Sequence, residues 1–308
     1  MTSKVQLDRD VISGIWKHNL TPRLINSSDD DDENSDDTDG SKGRFDIDVS
    51  NFKLGLVSKK CFLALKTSCD EEFKGAILWD YPDYEFQVIR NIDDDELGPY
   101  KISEPVFWLL KEWGLCELQF NDGNNNNNYQ RYLQVLRKIK GFGLKSIDFA
   151  WSYDSDSEFC GPDHLSEMLR IISESSCTLK ELCDVPDIFL PHLPHTLKLE
   201  KLVACLKSTS LNSNIKDFLQ LSAKEVVIKA KDCYLPSHLL KNINAQTLHV
   251  DVSRSWAEGI EENSVEIQPN PSIQEISIFL KNGSIDSIDY RSICLSTTLR
   301  KLLRAFKE

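Results

Sequence analysis

One pattern recurs along much of this 308-residue chain: an apolar residue, two others, an apolar residue, one other, and a third apolar residue. It stands at Leu115-x-x-Leu118-x-Phe120, Leu144-x-x-Ile147-x-Phe149, Ala223-x-x-Val226-x-Ile228, Ala245-x-x-Leu248-x-Val250 and Ile273-x-x-Ile276-x-Ile278. Leu179-x-x-Leu182 and Leu299-x-x-Leu302 carry the first part alone, and Leu199-x-x-Leu202 offers another reduced copy. Alternation at the end of the pattern fits a short strand with one buried face. Neighbouring full copies start 29 (115 to 144), 22 (223 to 245) and 28 (245 to 273) residues apart. Leucine-rich repeats run about 20 to 29 residues, each one strand followed by a helix, so these intervals fit that period. The 35 residues from 144 to 179 exceed it and call for an inserted loop.

Helical stripes fill the intervals. Tyr129, Tyr132, Leu133, Leu136 and Ile139 form one, and Leu165, Met168, Leu169 and Ile172 another. Ile215, Phe218 and Leu219 give a third, and Leu239, Leu240 and Ile243 follow Pro236-Ser237, a helix start signal. No single repeat can bury its own apolar face, so such a unit has to recur and stack. The expected fold class is therefore α/β, with an irregular leucine-rich-repeat-like solenoid over residues 115–308. An ordinary α/β domain of alternating strands and helices is the alternative. The copies lack the Asn or Cys that follows the strand in such repeats. Gly123, Ser152, Lys231, Ser253 and Lys281 stand there instead.

Upstream, Leu7, Val11 and Ile15 recur every four residues, with Ile12 and Trp16 beside them. Leu54, Val57, Cys61 and Ala64 repeat the helical spacing. These two short helices define an N-terminal module, residues 1–66, interrupted by an acidic insert at 27–43. A connecting region, 67–114, should hold strands at Ala76–Trp79 and Tyr84–Arg90 and a helix after Pro105 through Val106, Leu109, Leu110 and Trp113.

Charge narrows the function. The chain has 36 basic and 49 acidic residues, a net charge of -13. That disfavours nucleic acid, which is bound by neutralising phosphates with Lys and Arg. Eight of the acids lie between Asp29 and Asp39, so the remainder carries only -5 (-13 plus 8). An insert with nothing apolar to bury is expected to stay disordered. Ser27 and Ser28, just before four aspartates, also suit an acid-directed kinase. The run Asn124–Asn128 should be a loop. No apolar run approaches the roughly 18 residues needed to cross a bilayer, and the first residues lack a signal-peptide pattern. Nine scattered cysteines without a C-x-x-C pair suit buried thiols in a reducing compartment. A cytoplasmic or nuclear location is expected, without membrane association, and the Asn-x-Ser/Thr matches at Asn19, Asn26 and Asn282 then carry no weight.

No catalytic, cofactor or metal motif stands out. Asp154-x-Asp156-x-Glu158 begins like a calcium loop, but Phe159 occupies the glycine position and Leu165 the bidentate glutamate position. Gly141-Phe142-Gly143-Leu144-Lys145-Ser146 has the glycines of a phosphate loop without contiguous Gly-Lys-Ser. His192 and His195 are flanked by Pro191 and Pro194 and read as loop histidines. Asp93–Glu96 reads as a solvated turn.

Leu54-Gly55-Leu56-Val57-Ser58-Lys59-Lys60-Cys61-Phe62-Leu63-Ala64-Leu65 resembles the second half of an F-box, and Leu7 to Trp16 resembles its first helix. Leu7-Asp8 stands where that family usually has Leu-Pro, and the acidic insert splits the module. The resemblance covers about 40 residues in two pieces. It implies a short F-box-like head followed by repeats, a substrate-recruiting adaptor of a cullin–RING ubiquitin ligase. Leu7, Val11, Ile15, Leu56, Val57 and Phe62 would then dock on a Skp-type adaptor subunit, and the repeats would hold an unidentified target protein. No enzymatic activity and no cofactor are implied. The other reading is a leucine-rich-repeat scaffold for protein interactions with no ligase connection, its N-terminal helices serving as the cap that such arrays need.

Overall fold

A computed structural model describes residues 23–24, 45–47, 58–79, 85–90, 100–121, 129–149, 162–207, 222–231, 243–253, 265–266, 272–281, 288–289 and 301–307. The chain is mixed α/β and divides into two compact units, Met1–Gln119 and Phe120–Glu308.

In the first unit, Ser58 caps helix α1 (Lys59–Glu72), its Oγ accepting from the Cys61 amide at 3.1 Å. A hydroxyl at this place satisfies one of the amides that a helix start leaves unpaired. Helix α1 runs through residue 66 without a break, the place where the sequence suggested a module boundary, and leads directly into strand β3 (Phe73–Trp79). Ala64, Leu65, Ser68 and Cys69 form its buried face. β3 pairs antiparallel with β4 (Glu85–Arg90), the strand pair expected from the sequence. β4 pairs antiparallel with β5 (Tyr100–Ile102). β5 pairs parallel with β2 (Phe45–Ile47), which pairs antiparallel with β1 (Arg23–Leu24).

Helix α2 (Glu104–Trp113) follows Ser103 with Pro105 in its first turn, where the missing amide costs nothing. It ends at Gly114, whose φ of 116° is the left-handed cap that glycine adopts without strain. Phe86 of β4 stacks on Phe107 of α2 with ring centres 4.6 Å apart. On its other edge β3 borders β6 (Glu117–Asn121). The approach is close: a Cβ on Gly75 would lie 2.9 Å from the Glu117 Cβ.

The second unit follows another rule. Strands β7 (Ser146–Asp148), β8 (Glu181–Pro186), β9 (Lys198–Lys207), β10 (Ser222–Lys231), β11 (Thr247–Ser253), β13 (Glu275–Lys281) and β15 (Lys301–Lys307) are neighbours in that order. Every adjacent pair is parallel. A separate two-stranded pair, β12 (Val265–Glu266) with β14 (Ile288–Asp289), occupies the intervals.

Helix α3 (Tyr129–Lys138) precedes β7 and helix α4 (Pro162–Ser175) precedes β8, where two of the apolar stripes predicted helices. Between β8 and β9 the chain makes only a short 3-10 turn, Leu190–His192. The stripes at 215–219 and 239–240, the acidic insert, the asparagine run, the first predicted helix and the calcium-loop look-alike before residue 162 lie outside the described residues.

The sequence pattern becomes a set of aligned rows. Ile147, Leu182, Leu202, Val226, Leu248, Ile276 and Leu302 stand in register across the seven parallel strands. All but Leu302, whose side chain is not described, are buried. The first apolar position of each copy (Leu144, Leu179, Leu199, Ala223, Ala245 and Ile273) is buried as well. Stacking one such row across successive strands builds a continuous core from short repeated segments.

Candidate functional site

Of the six residues that the F-box resemblance assigns to adaptor docking, Phe62 alone falls among the described residues. It lies half-buried on α1. Leu7, Val11, Ile15, Leu56 and Val57 lie outside them. Beside Phe62, Leu63 is 49% exposed, and Lys59 and Lys60 are exposed too. Leu63 stands four residues after Lys59, which places it on the polar side of the helix.

In the second unit, the sheet face opposite the buried rows holds ordered polar columns. Glu181, Lys201, Glu225, Thr247, Glu275 and Lys301 stand in register on successive strands. Acid and base alternate from Glu181 to Glu225, and Thr247 then separates Glu225 from Glu275. The Lys201 ammonium lies 3.7 Å from the Glu225 carboxylate, which also has the His249 imidazole at 3.9 Å. Facing opposite charges across neighbouring strands favours the pairing of Lys201 with Glu225.

Next along the strands is a tighter cluster at Asp184. This residue has φ 53°, the one non-glycine residue with positive φ among the described residues. The register of β8 against β9 shifts between Leu182 and Val185. A bulge of this kind re-aims side chains, and a short polar residue tolerates the left-handed conformation best. The Lys229 ammonium donates to Asp184 Oδ1, and the Cys205 thiol reaches the same oxygen at 3.7 Å. Partial burial works to lower the Lys229 pKa, but the bond and charge of Asp184 outweigh it and hold the ammonium above its ordinary value. Burial pushes the Cys183 thiol up to about 12, helped by Asp148 and Glu181. Cys205 is pushed up too, by burial and then by Asp184. These thiols stay protonated at neutral pH and are poor nucleophiles. The cluster is suited to fixing the strand edge and presenting charge.

The glycine-rich stretch at 141–143 has a packing explanation. A Cβ on Gly141 would lie 2.1 Å from the Ile171 carbonyl of α4, so the backbone passes too close for any side chain. The Gly141 amide donates to Glu174 Oε2 at 2.8 Å. Arg170 of α4 binds Glu167 and Glu174 at 2.7 Å each, and its Nη2 donates to the Leu136 and Ile139 carbonyls at 2.9 and 3.0 Å. It thereby satisfies carbonyls that the end of α3 leaves open. Burial opposes the Arg170 charge, but the two glutamates outweigh it and raise the pKa. Burial would raise Glu174, but the Gly141 amide and Arg170 hold it below the ordinary carboxylate range. His192 and His195 are both exposed. Among the described residues no group of three His, Cys, Asp or Glu side chains could hold a metal ion, and no helix is long and apolar enough to cross a membrane.

The chain matches no protein-family model, no curated protein and no solved structure.

Proposed function

We propose that this chain is a non-enzymatic recognition module of leucine-rich-repeat type that recruits a target protein to a cullin–RING ubiquitin ligase. The observation that carries the recognition part is the in-register row from Ile147 to Leu302. Repeated parallel strands in sequence order commit one face to the core. On the other, Val203, Cys205 and Ser277 are buried too, while Lys201, Glu225, Lys229, His249 and Asp251 reach solvent. Solenoid proteins use such an extended surface to hold partners. On the described strands of that face stand acid–base columns and thiols that burial keeps protonated, a composition suited to recognition of a polypeptide.

The ligase part rests on the resemblance of Leu54 to Leu65 to an F-box, supported by the exposed Leu63 beside Phe62 on α1. Docking there would draw on apolar burial, about 25 cal/mol per Å² before the cost of association. The test is co-purification of the full chain with a Skp-type adaptor under mild salt. The double variant Ile15→Asp with Val57→Asp should abolish it, and Leu63→Asp should weaken it. If the folded wild-type chain captures no adaptor, the ligase reading is lost and the non-ligase scaffold takes its place.

A further inference from the structure

Ahead of β7 the chain makes a tight turn with an aromatic residue at its tip. The Leu144 amide donates to the Gly141 carbonyl at 3.2 Å, and Gly143 has φ 81°. A type II turn requires positive φ at the third of its four residues, and glycine meets this without strain. Phe142 is the second residue. It is 69% exposed, against 49% for Leu63 and 43% for Ile188, the other exposed large apolar residues among those described. A single exposed apolar side chain is common, but the backbone that displays this one is tied on both sides. Before it, the Gly141 amide is held by Glu174 Oε2 at 2.8 Å. After it, Leu144 is buried and its carbonyl accepts from the Thr178 hydroxyl at 2.7 Å. The Lys145 carbonyl accepts from the amides of Lys180 and Glu181 at 2.8 and 3.0 Å. Phe142 therefore stands on a rigid base with most of its surface in solvent.

Lysines flank the turn. Lys140 and Lys145 are both exposed, and neither forms an ion pair among the described residues. The ends of such a turn approach within about 7 Å, so both lysines stand close to Phe142. The carboxylates nearby are already engaged: Glu174 by Arg170 and the Gly141 amide, and Glu200 by Lys180 at 3.0 Å. We propose that this turn is a docking point for an acidic segment of a partner polypeptide. Phe142 packs on a bulky apolar side chain of that segment, and Lys140 and Lys145 pair with carboxylates on either side of it. Rigid backbone leaves little freedom to be lost on binding, and the flanking charges select acidic residues and fix their register. A nucleic acid needs its phosphates neutralised along its length, and two lysines on a chain of net charge -13 offer no such track. Docking at this turn uses neither the polar sheet face nor the adaptor, so it stands apart from the function proposed above.

The test uses the full chain and fluorescence anisotropy with three labelled peptides and a single-stranded oligonucleotide of similar charge. The first peptide carries a central leucine with a few acidic residues on each side. The second has serine in place of the leucine, and the third has Asn and Gln in place of the acids. The first should bind, less tightly as salt rises, and the other two at least about tenfold more weakly. Phe142→Ser should weaken binding of the first peptide by at least about tenfold, and Phe142→Trp should retain it. Lys140→Gln with Lys145→Gln should weaken it several-fold and flatten the salt dependence. Lys74→Gln, on an exposed lysine of the first unit, should change nothing. An unchanged urea midpoint for Phe142→Ser, expected of an exposed turn residue, assigns the loss to contact and not to fold; if that variant unfolds, the lysine variant and the peptide series decide. No binding of the first peptide, equal binding of all three, full affinity in Phe142→Ser or preference for the oligonucleotide would each overturn the proposal. Adaptor co-purification is a separate measurement, so its loss would leave this result standing.

Discussion

The two units build sheets from opposite kinds of neighbour. In Met1–Gln119, β5 lies between β2 and β4, and parallel and antiparallel pairings mix, so distant segments must meet before the sheet exists. In Phe120–Glu308, each strand from β7 to β11 pairs with the next in sequence, and β13 and β15 continue the order. The first arrangement makes one small core around Phe86, Phe107 and the buried face of α1. The second makes a row that can be extended, with each repeat depending chiefly on its neighbours. A surface that grows by repetition comes from the second plan.

The sharpest way to break this comparison is at two glycines. In the second unit a Cβ at Gly141 meets the Ile171 backbone carbonyl at 2.1 Å. Backbone of α4 cannot yield locally, so Gly141→Val should cost about 3 kcal/mol or more by urea unfolding. In the first unit a Cβ at Gly75 meets the Glu117 Cβ at 2.9 Å and the Glu117 carbonyl at 3.2 Å. A small shift of β6 can accommodate it, and Gly75→Ala should cost about 1 kcal/mol. Thiol labelling locates the damage. Buried Cys205 should become reactive first in the Gly141 variant, and buried Cys69 first in the Gly75 variant. Equal losses, or exposure of the same thiol in both, would mean that the two units respond as one.

An ion-pair contrast comes next in size. Arg170 joins Glu167 and Glu174 and caps two α3 carbonyls. Lys66 and Asp70 make a plain pair at 2.9 Å on exposed α1 surface. Arg170→Met leaves two carboxylates and two carbonyls short of a donor and should cost about 2 kcal/mol. Lys66→Met should cost about 0.3 kcal/mol, typical of an exposed pair four residues apart on a helix. Comparable melting shifts for the two would show that the Arg170 clamp adds nothing beyond a surface pair.

Much of the second unit was legible because its side chains report position by period. The apolar copies at 115, 144, 179, 199, 223, 245, 273 and 299 each precede or open a strand, including those that looked incomplete. The incomplete look of the 179 copy has a cause. Its third apolar position holds Asp184, and the bulge there lets Val185 pair opposite Ala204 and take the buried place. An extra residue in a strand shifts the phase of the pattern, and a fixed spacing cannot detect it. Nor could the pattern foresee the 3-10 turn between β8 and β9, where Phe189, Leu190, Leu193 and Leu197 are buried at helical spacing but Pro191 and Pro194 prevent a regular helix.

The last expected effect concerns the strain at Asp184. A non-glycine residue at φ 53° needs its surroundings to hold it, and the Lys229 ammonium bound to its carboxylate is the evident tie. That side chain is 41% exposed and the aspartate 24%, so solvent screens the pair and Lys229→Met should cost only about 0.5 kcal/mol at pH 8. The pH dependence separates this tie from simple packing. Because the folded pKa of Lys229 is raised, the folded state holds its proton more tightly than the unfolded chain does. Its contribution is therefore complete below the unfolded value of about 10.4 and disappears as pH rises through the folded value. Cys183 and Cys205 also favour the protonated folded state and weaken stability at alkaline pH, but they are present in both proteins. The difference between wild type and Lys229→Met in urea midpoint should hence be measurable at pH 8 and shrink towards zero once the pH passes the folded pKa. A difference that persists unchanged there would assign the role of Lys229 to its methylene stem covering Cys205, with the bulge held by backbone pairing alone.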